Sequence, residues 1–270
     1  MIKLLSRNKY LILRRITQVS ILILFIGGNY WGWNILKGNL STAKFLNLFH
    51  LSDPYMVLQT FATGFILAND VLIGALIILL FYAFIGGRSF CSWVCPMNIV
   101  SDTAARLRKI LKLYHEDVKV PISRNFRYWI LGLSIAVSAF SGIAAFELVS
   151  PVSMLHRGLI FGMGFAWAAV FLVFFFDVFV MQNGWCGYVC PLGGFYSFIN
   201  RFSIFKVKHN HHACTACNKC LIVCPEKQVL LPYINKTSVR IKGQECSNCG
   251  RCIDVCEDNA LSFSLNNYKK

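Results

Sequence analysis

Four stretches of this 270-residue chain are long, apolar and free of Asp, Glu, Lys and Arg, and they limit the fold more than any other feature. Ile16–Leu36 runs for 21 residues, Tyr128–Phe146 for 19 and Gly158–Phe176 for 19. Between Pro54 and Gly87 the only charge is Asp70. A hydrocarbon core about 30 Å thick takes about 20 apolar residues of helix, because in lipid the backbone must satisfy its own hydrogen bonds. The sequence therefore predicts four transmembrane helices over residues 16–36, 64–86, 128–147 and 160–182. The uncharged run from Val178 to Asn200 holds Gly184, Gly187, Pro191, Gly193 and Gly194 and reads as a turn plus an interfacial segment. Tyr30, Trp31 and Trp33 end the first run as an interfacial aromatic group. No small-x-small cleavage site follows, so that run is expected to remain as an anchor.

The balance of charge gives the topology. Five basic residues precede residue 16 and eight lie between 88 and 127, against Lys37, Lys44 and Arg157 in the other two loops. That is a positive-inside bias with both termini in the cytoplasm, and eleven further basic residues follow from Arg201 onward. The net charge of +15 is thus mostly topological and does not call for nucleic acid. With 14% charged and 56% hydrophobic residues, the chain departs from a soluble domain, which carries roughly 25% charged residues.

All twelve cysteines fall on the predicted cytoplasmic side, where thiols stay reduced and available for metal. Eight form two runs near the C-terminus. Cys214, Cys217, Cys220 and Cys224, followed by Pro225, repeat as Cys246, Cys249, Cys252 and Cys256. This C-x2-C-x2-C-x3-C spacing is that of two-cluster bacterial ferredoxins, in which the fourth cysteine serves the other cluster. The assignment is then Cys214, Cys217, Cys220 and Cys256 to one 4Fe–4S cluster, and Cys246, Cys249, Cys252 and Cys224 to the second. Structural zinc would use paired ligands instead. Glu257 stands where a proline usually follows the last cysteine. His209, His211 and His212 read as a solvated linker.

The other four cysteines repeat as well. Phe90-Cys91-Ser92-Trp93-Val94-Cys95-Pro96 and Trp185-Cys186-Gly187-Tyr188-Val189-Cys190-Pro191 are offset by 95 residues, and each follows a pair of predicted spans. Proline disfavours helix at the residue before it and suits the first turn after it. Each Cys-Pro is therefore expected to start a helix, whose dipole lowers the thiol pKa. After Pro96, Val100, Leu107, Leu111 and Tyr114 form one face among Arg106, Arg108, Lys109 and Lys112, as in a helix lying on a membrane surface. For Cys91, Cys95, Cys186 and Cys190 three readings stand: buried thiols, redox dithiols, or one shared metal or cluster site.

Acidic and histidine side chains near span ends are candidates for function. Glu147, His50, His156 and Asp70 lie toward the outer face and could accept protons from a quinol. Capping a span or pairing with Arg157 is the structural alternative. Asp177 lies near the inner face and is expected to pair with basic residues. The sequence has no nucleotide loop, flavin fingerprint, nucleophile triad or c-type haem motif.

The fold expected is a membrane all-α domain over residues 1–205, with four helices in two repeated two-helix units each followed by C-x3-C-P. A cytoplasmic α+β two-cluster ferredoxin domain over residues 206–270 completes it. This arrangement resembles the NapH family, the membrane ferredoxin-type subunits of periplasmic nitrate reductase systems. NosR-type regulators, NosH-like subunits and FixG/RdxA-type assembly proteins share the C-x3-C-P core. The first has a long outer domain and the last an extra C-terminal domain. The resemblance implies a bacterial inner-membrane quinol dehydrogenase subunit, active in a complex with the periplasmic ferredoxin NapG and passing electrons toward nitrate reductase. It places the family's cluster ligands on the eight C-terminal cysteines and its C-x3-C-P cysteines on Cys91, Cys95, Cys186 and Cys190. Alternatives are service to nitrous oxide reductase, metalloenzyme maturation, or a redox sensor or anchor.

Overall fold

The computed structural model describes residues 8–113, 123–162, 164, 166–234 and 243–265. Tyr114, assigned above to an apolar helix face, lies outside the described residues, as do Lys3, Arg7 and Lys119. The chain divides into two compact units that do not follow chain order. One comprises Met1–Gln18, Phe81–Val94 and Tyr196–Lys270; the other comprises Val19–Leu80 and Cys95–Phe195.

The first helix, α1, spans Lys9–Tyr30 and is long and apolar enough to cross a membrane. It begins seven residues earlier than its charge-free run. The cause lies within the first unit: the carboxylate of Asp254 accepts from the backbone N–H groups of Tyr10 and Leu11, at 3.2 Å each. A carboxylate at a helix start satisfies donors that have no partner in the helix and complements the dipole.

The other three apolar helices are shorter than predicted, so the expected boundaries are corrected here. They are Asn69–Ile85 with 17 residues, Phe126–Ser141 with 16, and Ala166–Phe175 extended by a π turn over Phe176–Val180. At 1.5 Å per residue the first two measure about 25 and 24 Å. Identifiable breaks set the lengths. Gly64, Gly142 and Gly162 have φ of 81°, 68° and 103°, which side chains with a Cβ rarely adopt. Two further helices, Pro54–Ala62 and Pro151–Phe161, start at prolines behind the side-chain caps Asp53 and Ser150.

A three-stranded antiparallel sheet, not anticipated from sequence, lies in the second unit: β1 Leu36–Gly38, β2 Thr42–Phe45 and β3 Phe49–Ser52. Asn39 ties its first turn, accepting from the N–H groups of Ser41 and Thr42. The helix Asn69–Ile85 packs against β3 at Gly74, where a Cβ would lie 1.7 Å from the carbonyl oxygen of His50.

In the first unit β4, Phe205–His209, pairs antiparallel with β5, Leu261–Leu265, placing Val207 opposite Phe263 and His209 opposite Leu261. Val207, Val229, Leu230, Ile234 and Leu261 form a small core with Cys220 and Cys252. Phe90 stacks on Tyr196 with ring centres 4.9 Å apart, and Tyr82 meets both rings edge-on.

Gly74→Ala is expected to destabilise the protein by about 1–3 kcal/mol through overpacking against a carbonyl that cannot yield. Gly132→Ala, in a helix interior where a Cβ would meet nothing within 4 Å, should not destabilise and should gain about 0.5–1 kcal/mol. Thermal unfolding of both variants in detergent checks the pair.

Candidate metal centres

The two C-terminal cysteine runs are built on the same backbone. In the first, Ala216 and Asn218 flank Cys217 with φ of 53° and 59°. In the second, Asn248 and Gly250 flank Cys249 with φ of 48° and 73°. Left-handed residues on both sides of the middle cysteine curl the loop, and in the first run the Ala216 N–H donates to Cys214 Sγ at 3.4 Å. The third cysteine of each run then begins or enters a short helix, Lys219–Val223 or Arg251–Asp254.

The loops enclose two hollows. One, of about 390 Å³ counted to its open mouth, is lined by Cys224, Cys246, Cys249 and Cys252, with Pro225, Glu226 and Val207. The other, of about 350 Å³, is lined by Cys214, Cys217, Cys220 and Cys256, with Asp258 and Leu261. Each hollow thus takes three cysteines from one run and the fourth from the other. Four thiols drawn from two runs of this spacing suit a cubane cluster. Among the described residues no three His, Cys, Asp or Glu side chains converge tightly enough for one metal ion. Burial pushes the Cys246 thiol up to about 11 and the Cys252 thiol well above its ordinary range, with neighbouring cysteines adding to the rise. Cys217, by contrast, is exposed. His209 is buried and lines the second hollow, whereas His211 and His212 are exposed. The linker reading of the three histidines is corrected for His209.

The first C-x3-C-P segment makes direct contact with the ferredoxin loops. Ser92 Oγ donates to the carbonyl of Ser247 at 2.7 Å, and Trp93 Nε1 to that of Asn248 at 3.0 Å. Both carbonyls lie between Cys246 and Cys249. Asn200 Nδ2 donates to the carbonyls of Gln244 and Cys246, and Asn248 Nδ2 to those of Ile85 and Phe205. Gly87 lets the same segment close on the end of the helix Pro191–Ile199, since a Cβ there would lie 2.1 Å from the carbonyl oxygen of Tyr196. Cys91 belongs to this unit.

Cys95, Cys186 and Cys190 belong to the other unit, and the three interact electrostatically. As the spacing predicts, helices start at the two prolines: Pro96 caps Met97–Ile110 and Pro191 opens Pro191–Ile199. Cys186 sits in a π turn, Trp185–Val189, closed by the Cys190 N–H on the Trp185 carbonyl. Ser101 Oγ donates to Asp177 at 2.7 Å and lies 3.5 Å from Cys186 Sγ. Asp177 is fully buried and accepts also from the Trp185 N–H, so among the described residues its hydrogen-bond donors are these groups rather than the basic side chains expected. Burial pushes the Cys186 thiol well up. The helix after Pro96 differs from the expected surface helix. Met97, Ser101, Ala104 and Arg108 form its buried face, Arg108 donates to the Val178 carbonyl at 3.0 Å, and Ile110 is exposed.

Of the four candidate proton acceptors, Glu147 forms an ion pair with Arg157 at 2.8 Å and accepts from Ser41 Oγ. His156 is buried, packed edge-on against Phe25, with no hydrogen bond on either nitrogen among the described residues. His50 lies on β3 opposite Lys44, and Asp70 is exposed in the first turn of its helix. No hydrogen bond or ion pair among the described residues joins these four to one another.

A family model described as a 4Fe-4S dicluster domain matches residues 206–257. A second, described as a 4Fe-4S binding domain, matches residues 69–114 and 162–209, each range carrying one C-x3-C-P motif. The chain is 43% identical to the methylamine utilization ferredoxin-type protein MauN of Paracoccus denitrificans, over 84% of this chain and 80% of that protein. It is 42% identical to the ferredoxin-type protein NapH of Haemophilus influenzae and 37% identical to that of Escherichia coli, over 83% of this chain and 77% of each relative. No solved structure matches.

Thiols held protonated by burial must lose their protons to bind iron. Reconstitution of the apo protein with iron and sulfide in weakly buffered solution is therefore expected to acidify the medium, and iron affinity should keep rising with pH past the ordinary thiol range, toward about pH 11 for Cys246. A pH-stat measurement during loading checks this.

Proposed function

This chain belongs to the family of ferredoxin-type iron–sulfur electron-transfer proteins that includes NapH and MauN, and we propose that it oxidises quinol at the cytoplasmic membrane in complex with a partner ferredoxin. Electrons then pass toward a periplasmic reductase, with a NapG-type ferredoxin and nitrate reductase as partners. NapH relatives favour the nitrate pathway, and MauN relatives of equal similarity make methylamine utilisation the alternative context.

In this reading Cys214, Cys217, Cys220 and Cys256 hold one 4Fe–4S cluster, and Cys224, Cys246, Cys249 and Cys252 hold the other. The observation that carries it is the pair of hollows, each lined by four cysteines in exchanged sets. Such clusters supply one-electron storage and transfer. The cysteines hold them, and the buried walls restrict water. Residues 206–270 form the cytoplasmic ferredoxin domain, and residues 1–205 supply a four-pass anchor. Helix Lys9–Tyr30 supports the anchor by length and composition, and the three shorter apolar helices by composition.

The cysteines Cys91, Cys95, Cys186 and Cys190 form a further metal or cluster site in this proposal. The match of a 4Fe-4S binding domain across both motifs supports it. Glu147, His156, His50 and Asp70 remain the proposed proton acceptors. His156 is buried with no hydrogen-bonding partner among the described residues, while Glu147 is committed to Arg157.

Two outcomes are expected. Cys256→Ser should abolish the cluster of the first run and spare the other, although Cys256 lies in the second run; Cys224→Ser should do the converse. EPR of the dithionite-reduced protein counts the clusters. In membranes containing the partner, menaquinol or ubiquinol should reduce the wild-type clusters anaerobically. Failure of quinol to reduce them with the partner present rejects the quinol reading. Cys91→Ala with Cys186→Ala leaving iron at two clusters' worth and electron flow intact rejects the further site.

A further inference from the structure

Arg88 is the only charged residue between Val71 and Ser101. Its side chain and that of Glu226 are each 4% exposed, with the guanidinium 2.6 Å from Glu226 Oε1. The same nitrogen donates to the Glu245 carbonyl at 2.6 Å, one residue before Cys246. Glu226 Oε2 accepts from Gln228 Nε2 at 2.8 Å, and Glu226 lines the hollow of Cys224, Cys246, Cys249 and Cys252.

The two internal repeats act as controls. The 95-residue offset puts Asn183 where the first C-x3-C-P copy has Arg88, so that motif does not itself require a cation. Two residues after the fourth cysteine, one ferredoxin run has Glu226 and the other has Asp258. Asp258 lines the Cys214 hollow, but it is exposed and accepts from Thr215 at 2.6 Å. Of these two hollows on matching backbone, the one of Cys246 is thus flanked by a buried ion pair whose cation comes from outside the ferredoxin domain, while the one of Cys214 has the exposed Asp258 and the buried His209. Reduction of a cluster adds negative charge, and a buried cation beside it favours the reduced form with little screening by salt.

We propose that Arg88 is a positioning residue that holds the first C-x3-C-P segment on the loop of Cys246 and raises the reduction potential of the cluster held by Cys224, Cys246, Cys249 and Cys252 above the value that Glu226 alone would set. This rests on the reading that those cysteines hold a 4Fe–4S cluster. The electron-receiving end of the ferredoxin domain is then the hollow that the first C-x3-C-P segment touches, and the more exposed Cys214 hollow is the other end.

The test is a potentiometric EPR titration of the full chain, loaded and in detergent, resolving the two one-electron transitions. Arg88→Gln should lower one midpoint potential and leave the other unmoved. Glu226→Gln should raise the same one, and Arg88→Lys should hold it near the wild-type value. Opposite signs from the two neutral variants are not produced by loosened packing alone. If neither variant moves a potential, if both move it the same way, or if both clusters shift together, the proposal is overturned. Should Arg88→Gln lose the cluster, the sign for Glu226→Gln and the Arg88→Lys value decide. A wild-type chain without labile sulfide would overturn the ligand reading itself, an outcome distinct from two intact clusters with unmoved potentials.

Discussion

The ferredoxin domain depends on exchange of its fourth cysteines. Cys224 leaves its own run to line the hollow of Cys246, Cys249 and Cys252, and Cys256 does the reverse. Neither run can complete a hollow alone, so the two halves must fold together. Among the described residues the fully buried apolar core between them is five aliphatic residues plus Cys220 and Cys252, with Leu221, Tyr233, Ile253, Val255 and Phe263 packed against it. Domains of this size bury too little surface to be secure without a staple. In the proposed reading the clusters provide it, coupling metal binding to folding. The same loops also fix the rest of their unit: Asp254, between Cys252 and Cys256, caps helix Lys9–Tyr30, and the carbonyls between Cys246 and Cys249 receive Ser92 and Trp93.

The second unit solves a different problem, that of polar groups inside an apolar setting. Asp177 is fully buried, and a lone buried carboxylate is costly. Ser101 and the Trp185 N–H each give it a hydrogen bond. The Trp185 donor is positioned by the helix turn that carries Cys186. Arg108, on the same helix face as Ser101, is also buried and reaches the Val178 carbonyl. These groups tie the helix after Pro96 to the π turn Phe176–Val180. Removing one partner would strand the other, so the network specifies one arrangement of the segments around Cys186 and Cys190.

Features set by spacing were legible in the sequence, and features set by burial were not. Cysteine intervals singled out eight side chains that line the two hollows, and Cys-Pro foretold where helices Met97–Ile110 and Pro191–Ile199 begin. Apolar runs gave the four long apolar helices but overestimated three of them, because Gly64, Gly142 and Gly162 break the backbone where hydropathy continues. Strands of three and four residues at 36–52 are too short to show alternation. The π turns add a residue per turn without any mark in composition. Pairing of Glu147 with Arg157 was foreseeable as a local charge match and is present. Arg88 was invisible for a different reason. A lone arginine at the end of an apolar run ordinarily marks topology, and only the fold shows it buried against Glu226.

The duplicated C-x3-C-P motif has diverged in ways that assign its copies different work. The first copy forms an α turn, Ser89–Trp93, and directs Ser92 and Trp93 at the ferredoxin loop. The second forms a π turn, Trp185–Val189, and at the positions of Ser92 and Trp93 it has Gly187 and Tyr188. Glycine offers no hydroxyl to donate, and Arg127 instead takes the Gly187 carbonyl at 3.4 Å. Tyr188 faces the Arg124 guanidinium, 4.6 Å from its ring centre. A motif needed only to bind metal would keep both copies alike. Here the cysteines and the proline are kept, while the residues between them are fitted to separate neighbours: ferredoxin carbonyls in one copy, a cationic helix start in the other.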